Sequence, residues 1–80
     1  MINDRVRQIV IQQGQLPVDA SQVADTTDLY ALGLSSLRTV NIMLALEDEF
    51  DVEFPDELLS RRTFESVLSI AEAIEDLVDN

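Results

Sequence analysis

Two adjacent hydroxyls, Ser35 and Ser36, follow Gly33-Leu34 where an irregular stretch gives way to a run free of Gly and Pro. Serine has an ordinary use at such a point. As an N-cap its Oγ accepts from a first-turn amide that has no carbonyl of its own helix to bond. One hydroxyl is enough for that duty, and Ser35 suits it, which leaves Ser36 at the positive end of the helix dipole. The rest of the chemical inventory is sparse. The chain has no His and no Cys, so the commonest general base, the soft metal ligands and the strongest protein nucleophile are missing together. No catalytic residue is assigned, and the chain is not expected to be an enzyme. The acidic run Glu47, Asp48, Glu49, Asp51 and Glu53 lacks the glycine and the alternating ligand spacing of a calcium loop, so no metal site is expected either.

The elements that must position Ser36 follow from periodicity. At 80 residues the chain suits one compact domain, taken as residues 1–80, without room for a second core. Val6, Ile9 and Val10 lie at helical spacing within residues 3–13, with Asn3 or Asp4 as cap and Gly14 as the stop. From Gly14 to Gly33 the spacing is lost and turn formers replace it, which predicts a long loop with one helical turn near Ser21 to Ala24. A loop this long in a small domain has to be tied down, and Leu16, Val18, Val23, Leu29, Tyr30 and Leu32 are the expected ties. Residues 36–50 read as the longest helix. A short third helix is expected over Asp56 to Ser60, ending at Arg61 and Arg62 with Thr63 as the next cap. Residues 64–78 carry their apolar side chains on one side and read as the final helix.

The helix after Ser36 has more apolar surface than one core contact needs. Ile42, Met43, Leu46 and Phe50 make a core stripe, and Leu37, Val40 and Leu44 make a second stripe beside it, with Asn41, Glu47 and Asp48 around them. Two readings stay open. Loop residues such as Leu29 and Tyr30 cover the second stripe, or it is an exposed docking face rimmed by carboxylates.

The segment Asp28-Leu29-Tyr30-Ala31-Leu32-Gly33-Leu34-Ser35-Ser36-Leu37 resembles the Leu-Gly-x-Asp-Ser-Leu segment of the acyl carrier and peptidyl carrier protein family. Leu46-Glu47-Asp48-Glu49-Phe50-Asp51-Val52-Glu53-Phe54-Pro55 is similar to the acidic end of that family's second helix and the turn after it. The resemblance implies an all-α, four-helix acyl-carrier-protein-like bundle with a long first loop and a short third helix. It also implies that Ser36 bears a covalent 4'-phosphopantetheine arm taken from coenzyme A, which carries acyl or aminoacyl groups as thioesters. A cysteine-free chain that handles thioesters needs its thiol from such a cofactor, and a phosphodiester on Ser36 would be stabilised by the helix dipole and free amides. Asp28 through Ser36, with Phe54-Pro55-Asp56 and Leu58-Leu59, looks particularly like stand-alone aminoacyl carriers charged by ligases related to seryl-tRNA synthetases.

Implied partners are a phosphopantetheinyl transferase, an acyl- or aminoacyl-loading ligase and downstream acyl-transfer enzymes, meeting a face made of Leu37, Arg38, Val40, Asn41, Leu44, Glu47 and Asp48. Two positions depart from the family pattern. Ser35 replaces the usual aspartate, and Arg38 stands where fatty-acid carriers often have an acid. Arg38 therefore either pairs with the phosphate or selects a partner outside housekeeping fatty-acid synthesis. Met43, Leu46, Phe50, Phe54 and Ile70 either enclose an acyl chain or, as dense packing favours, simply fill the core.

Five arginines and no lysine face sixteen acidic residues, for a formal charge of -11. Nucleic acid is excluded as a partner by that charge, whereas quick, salt-sensitive encounter with basic protein patches is favoured. No stretch approaches the roughly 20 apolar residues of a membrane span, and the first residues do not read as a signal peptide. A cytoplasmic monomer is expected. The competing reading is an unmodified acidic helical interaction module, which would gain no arm from coenzyme A and a transferase.

Overall fold

The computed structural model describes residues 2–79 and is helical throughout its regular elements: α1 (Asn3–Gly14), α2 (Ser36–Phe50) and α3 (Val67–Asp79), with single 3-10 turns at Ala20–Gln22 and Asp56–Leu58. Helix α1 packs against both α2 and α3. Val6, Val10, Ile42, Leu46, Ile70 and Ile74 close the interior with essentially no exposure, and among the described residues no buried side-chain polar atom lacks a partner.

The all-α class agrees with the expectation, but the count of four helices does not. The segment expected as a third helix over 56–60 makes one 3-10 turn, with Leu58 N–H donating to the Pro55 carbonyl and Leu59 N–H to that of Asp56. It lacks an apolar stripe of helical period to bury, so nothing propagates the turn. Residues 61–66 stay irregular instead. Helix α3 consequently begins at Val67 rather than at 64, and Thr63 does not cap it. Ser66 and Ser69 do so reciprocally, each backbone N–H donating to the other's Oγ at 3.1 Å, a serine version of the capping box. Thr63 is buried and its carbonyl accepts from the Ser69 hydroxyl at 2.9 Å.

The start of α1 also differs from expectation. Asn3 is no cap, since it lies inside the helix, buried, and donates through Nδ2 to Asp25 Oδ2 at 3.0 Å. The helix ends at Gly14, as expected of the stop, and the residue after it turns left-handed. Gln15 takes that conformation at φ 51°, and Gly14 is buried where a Cβ would come within 3.2 Å of Leu34 Cδ1 and 3.3 Å of Ile42 Cδ1. Its missing side chain lets α2 and the end of the loop close onto α1.

The long loop is tied down as expected, with Leu16, Val23 and Leu29 buried and Val18, Tyr30 and Leu32 partly so. Polar ties supplement them. Arg7 donates to the Val23 carbonyl at 2.8 Å and pairs with Asp4 at 2.7 Å and with Asp25. Backbone bonds from Leu68 N–H to the Asp25 carbonyl and from Leu29 N–H to the Glu65 carbonyl, at 2.9 and 2.8 Å, stitch the loop to the start of α3. These ties fix the backbone that delivers Ser36 to its helix.

Candidate functional site

The loop enters α2 through Gly33, whose φ of 107° is outside the range an L side chain readily adopts. Two residues later Ser35 is extended, at φ -93° and ψ 157°, and its Oγ accepts from Arg38 N–H at 3.1 Å. Its carbonyl accepts both the amide and the hydroxyl of Thr39. Ser35 is therefore the N-cap. Ser36 is the first helical residue and is exposed, and its Oγ makes no hydrogen bond among the described residues. The two neighbouring hydroxyls thus divide the work. One satisfies the helix, and the other is a free alcohol beside first-turn amides that have no intrahelical acceptor. A phosphodiester fits this place, since those amides and the dipole favour an anion and no existing contact has to break.

Ser36 lies on the rim of a groove of about 290 Å³, between α2 and the irregular segment before α3. Thr39 and Met43 line it from α2, Phe64 and Leu59 from the opposite side. Tyr30 and Arg61 complete it, with the guanidinium carbon 4.1 Å from the ring centroid. Arg61 therefore stacks on an aromatic face and does not serve a helix C-terminus. Residues 30 and 61 are far apart in sequence, so their pairing had no sequence signal. Of the five residues considered as a chamber for cargo, Leu46, Phe54 and Ile70 are buried in the core and only Met43 lines this groove.

The second stripe of α2 is bare. Leu37, Val40 and Leu44 are 76, 50 and 54% exposed, and Asn41 and Asp48 are exposed around them. Leu29 does not cover them, because it is wholly buried in the core, and Tyr30 faces the groove. Glu47 is partly buried and already occupied on one oxygen, its Oε2 accepting from Phe54 N–H at 2.8 Å across the turn that ends α2. Arg38 is partly buried and has no ion-pair partner among the described residues. It does not line the groove that Ser36 lines.

Further from the site, Arg5 and Glu49 pair at 2.8 Å between α1 and α2. The hydrogen bond from Arg5 is the main reason that the Glu49 carboxyl sits below the usual carboxylate range. Among the described residues no three acidic side chains converge as a metal site, and no helix is long and apolar enough to cross a membrane.

Comparison with known proteins agrees with this geometry. The profile of the family described as "Phosphopantetheine attachment site" matches residues 4–74. The aminoacyl carrier protein of Agrobacterium fabrum is 44% identical over 78 residues, covering 98% of this chain and 94% of that protein. Among solved structures, the Agrobacterium tumefaciens carrier protein complexed with an engineered Bradyrhizobium japonicum glycine:[carrier protein] ligase and ATP is 44% identical. It superposes at a TM-score of 0.88 over 94% of this chain and 97% of its own. A holo acyl carrier protein from Nitrosomonas europaea reaches the same TM-score at 27% identity, covering 100% of this chain and 99% of its own.

Proposed function

The chain belongs to the phosphopantetheine-attachment family, and from that premise we propose that Ser36 bears the arm of a stand-alone aminoacyl carrier. Its function is to hold a cargo as a thioester, and it is a carrier and not a catalyst. The arm supplies the thiol that a chain without cysteine lacks. Everything else falls to the protein's own residues. Ser35 keeps the helix capped, Gly33 gives the sharp entry, and Ser36 offers an unbonded oxygen to solvent and to an enzyme. That free oxygen, beside a serine already committed to capping, is the observation that carries the assignment.

The likeness at 44% identity to an aminoacyl carrier, and to a carrier crystallised with a glycine:[carrier protein] ligase, supports an amino acid as cargo and an aminoacyl-loading ligase as partner. A phosphopantetheinyl transferase and downstream aminoacyl-transfer enzymes complete the set, and a cytoplasmic location, where coenzyme A and ATP-dependent ligation meet, is part of the same proposal. Leu37, Val40 and Leu44, with Asn41 and Asp48, form the docking face, and Arg38 biases it toward partners other than fatty-acid enzymes. The exposure of all three apolar side chains supports that reading.

The test is intact mass after incubation with coenzyme A and a phosphopantetheinyl transferase. The native sequence should gain one phosphopantetheine and Ser36→Ala none, while the variant keeps its helical circular dichroism because Ser35 still caps α2. A Ser36→Ala protein that still gained the arm would refute the site. Native protein that stayed bare would favour the unmodified interaction module.

A further inference from the structure

The groove beside Ser36 has a cation, Arg61, on its wall. Of the five arginines, Arg5 and Arg7 are held in ion pairs, and neither Arg38 nor Arg62 lines the groove. Arg61 does line it, together with Ser36, and has no ion-pair partner among the described residues. Among the described residues its one hydrogen-bond, ion-pair or ring contact is with Tyr30, whose ring centroid lies 4.1 Å from its Cζ. Stacking uses the face of a guanidinium and leaves the five N–H donors on its edge available. Arg61 is thus the arginine that both shares a groove with Ser36 and has its charge unneutralised by a carboxylate among the described residues. A planar fork of donors, resting against an aromatic ring and sharing a groove with a serine, is the kind of group that recognises a phosphodiester.

We propose that Tyr30 orients Arg61 so that its edge donors pair with the phosphodiester on Ser36, holding the root of the arm over the groove toward Met43. The inference rests on Ser36 being the attachment site. Arg61 is the group that touches the phosphate, and Tyr30 acts through it as a positioning residue. The root is thereby held in one direction while the thiol end stays free to reach partners. An enzyme that needs the arm extended has to break this contact, which an acidic or phosphate-competing patch at its entrance would do.

The experiment uses NMR of the unmodified and modified proteins, with the arm isotope-labelled through coenzyme A and the modified residue located first by mass spectrometry. If the arm is on another residue or on none, the attachment reading fails, and this inference with it. If the arm is on Ser36, the Arg61 Nε–Hε signal should shift on modification and arm protons should show nuclear Overhauser effects to Tyr30 and Met43. Arg61→Gln and Tyr30→Leu should lower those contacts about two- to fivefold, the range of a solvent-exposed ion pair. Tyr30→Phe should restore them, because the ring face is kept, and Arg62→Gln should leave them unchanged. Raising salt to about 1 M should weaken them in the native sequence through screening. An Arg61 signal unmoved by modification of Ser36, or an Arg62→Gln effect as large as that of Arg61→Gln, would overturn the inference while leaving the attachment site intact.

Discussion

Leu44→Ala separates docking from folding. Leu44 is 54% exposed, whereas its helix neighbour Ile42 has no exposure. Burying a whole leucine side chain is worth about 1.5–3 kcal/mol, so covering the exposed half of Leu44 in a complex contributes about 0.8–1.6 kcal/mol, roughly a four- to fifteenfold change in affinity. Truncation should therefore raise KM for the carrier in a ligase-catalysed aminoacylation by up to that factor and leave kcat near its native value, because the lost contact is uniform binding. Thermal stability should move little, since the side chain is already in water and alanine is the better helix former. Ile42→Ala is the contrasting control, costing about 2–5 kcal/mol of stability through a core cavity. The modification site is two turns from Leu44, roughly 12 Å along the axis, so arm attachment should proceed unchanged. Unaltered KM in Leu44→Ala, with unaltered stability, would refute this face as the ligase contact.

Three further outcomes follow from the ties around the site. Gly33→Ala places a side chain at φ 107° and should cost about 1–3 kcal/mol, visible as a lowered denaturant midpoint and slower modification of Ser36. Arg7→Ala removes the bonds to Asp4, Val23 and Asp25 and should cost about 1.5–3 kcal/mol, with faster hydrogen exchange at the Leu68 and Leu29 amides that stitch the loop to α3. Glu49 has a folded pKa depressed by its bond to Arg5, so its contribution is fully present above the ordinary carboxylate range and is lost as pH falls through the lower folded value. Glu49→Gln should therefore flatten that part of the stability profile in acid unfolding, and an unchanged profile would count against the pair.

Periodicity and punctuation made most of the frame legible. Val6, Ile9 and Val10 located α1, the run without Gly or Pro located α2, and the loop's apolar residues were the ones that became buried. What was missed shares a cause. Gly14 has two roles, stop signal and close approach, and only the first was legible, because the second depends on the positions of Leu34 and Ile42. Residues 56–66 contain helix formers and capping residues but no apolar stripe of helical period, so local signals suggested a helix that packing does not support. The place of Ser36 at the entry to α2 was legible because an irregular stretch gives way there to a run free of Gly and Pro. Tyr30 and Arg61 were not, because a pair made by two loops leaves no trace in local spacing.

The proposed docking face would also set a limit on how tightly partners can hold the chain. Three side chains, each between half and three-quarters exposed, contribute only a few kcal/mol of burial, which the loss of rotational and translational freedom on association largely offsets. Contact with any one partner should therefore be brief unless something else adds to it. The charge of -11 is the available addition, and long-range attraction of that kind acts chiefly on the rate of encounter and is weakened by salt. A small apolar patch within a strongly anionic surface thus favours quick arrival and quick departure. A carrier that must pass one thioester from ligase to acceptor needs that combination, since an interface tight enough to persist would keep the arm in the first active site it entered.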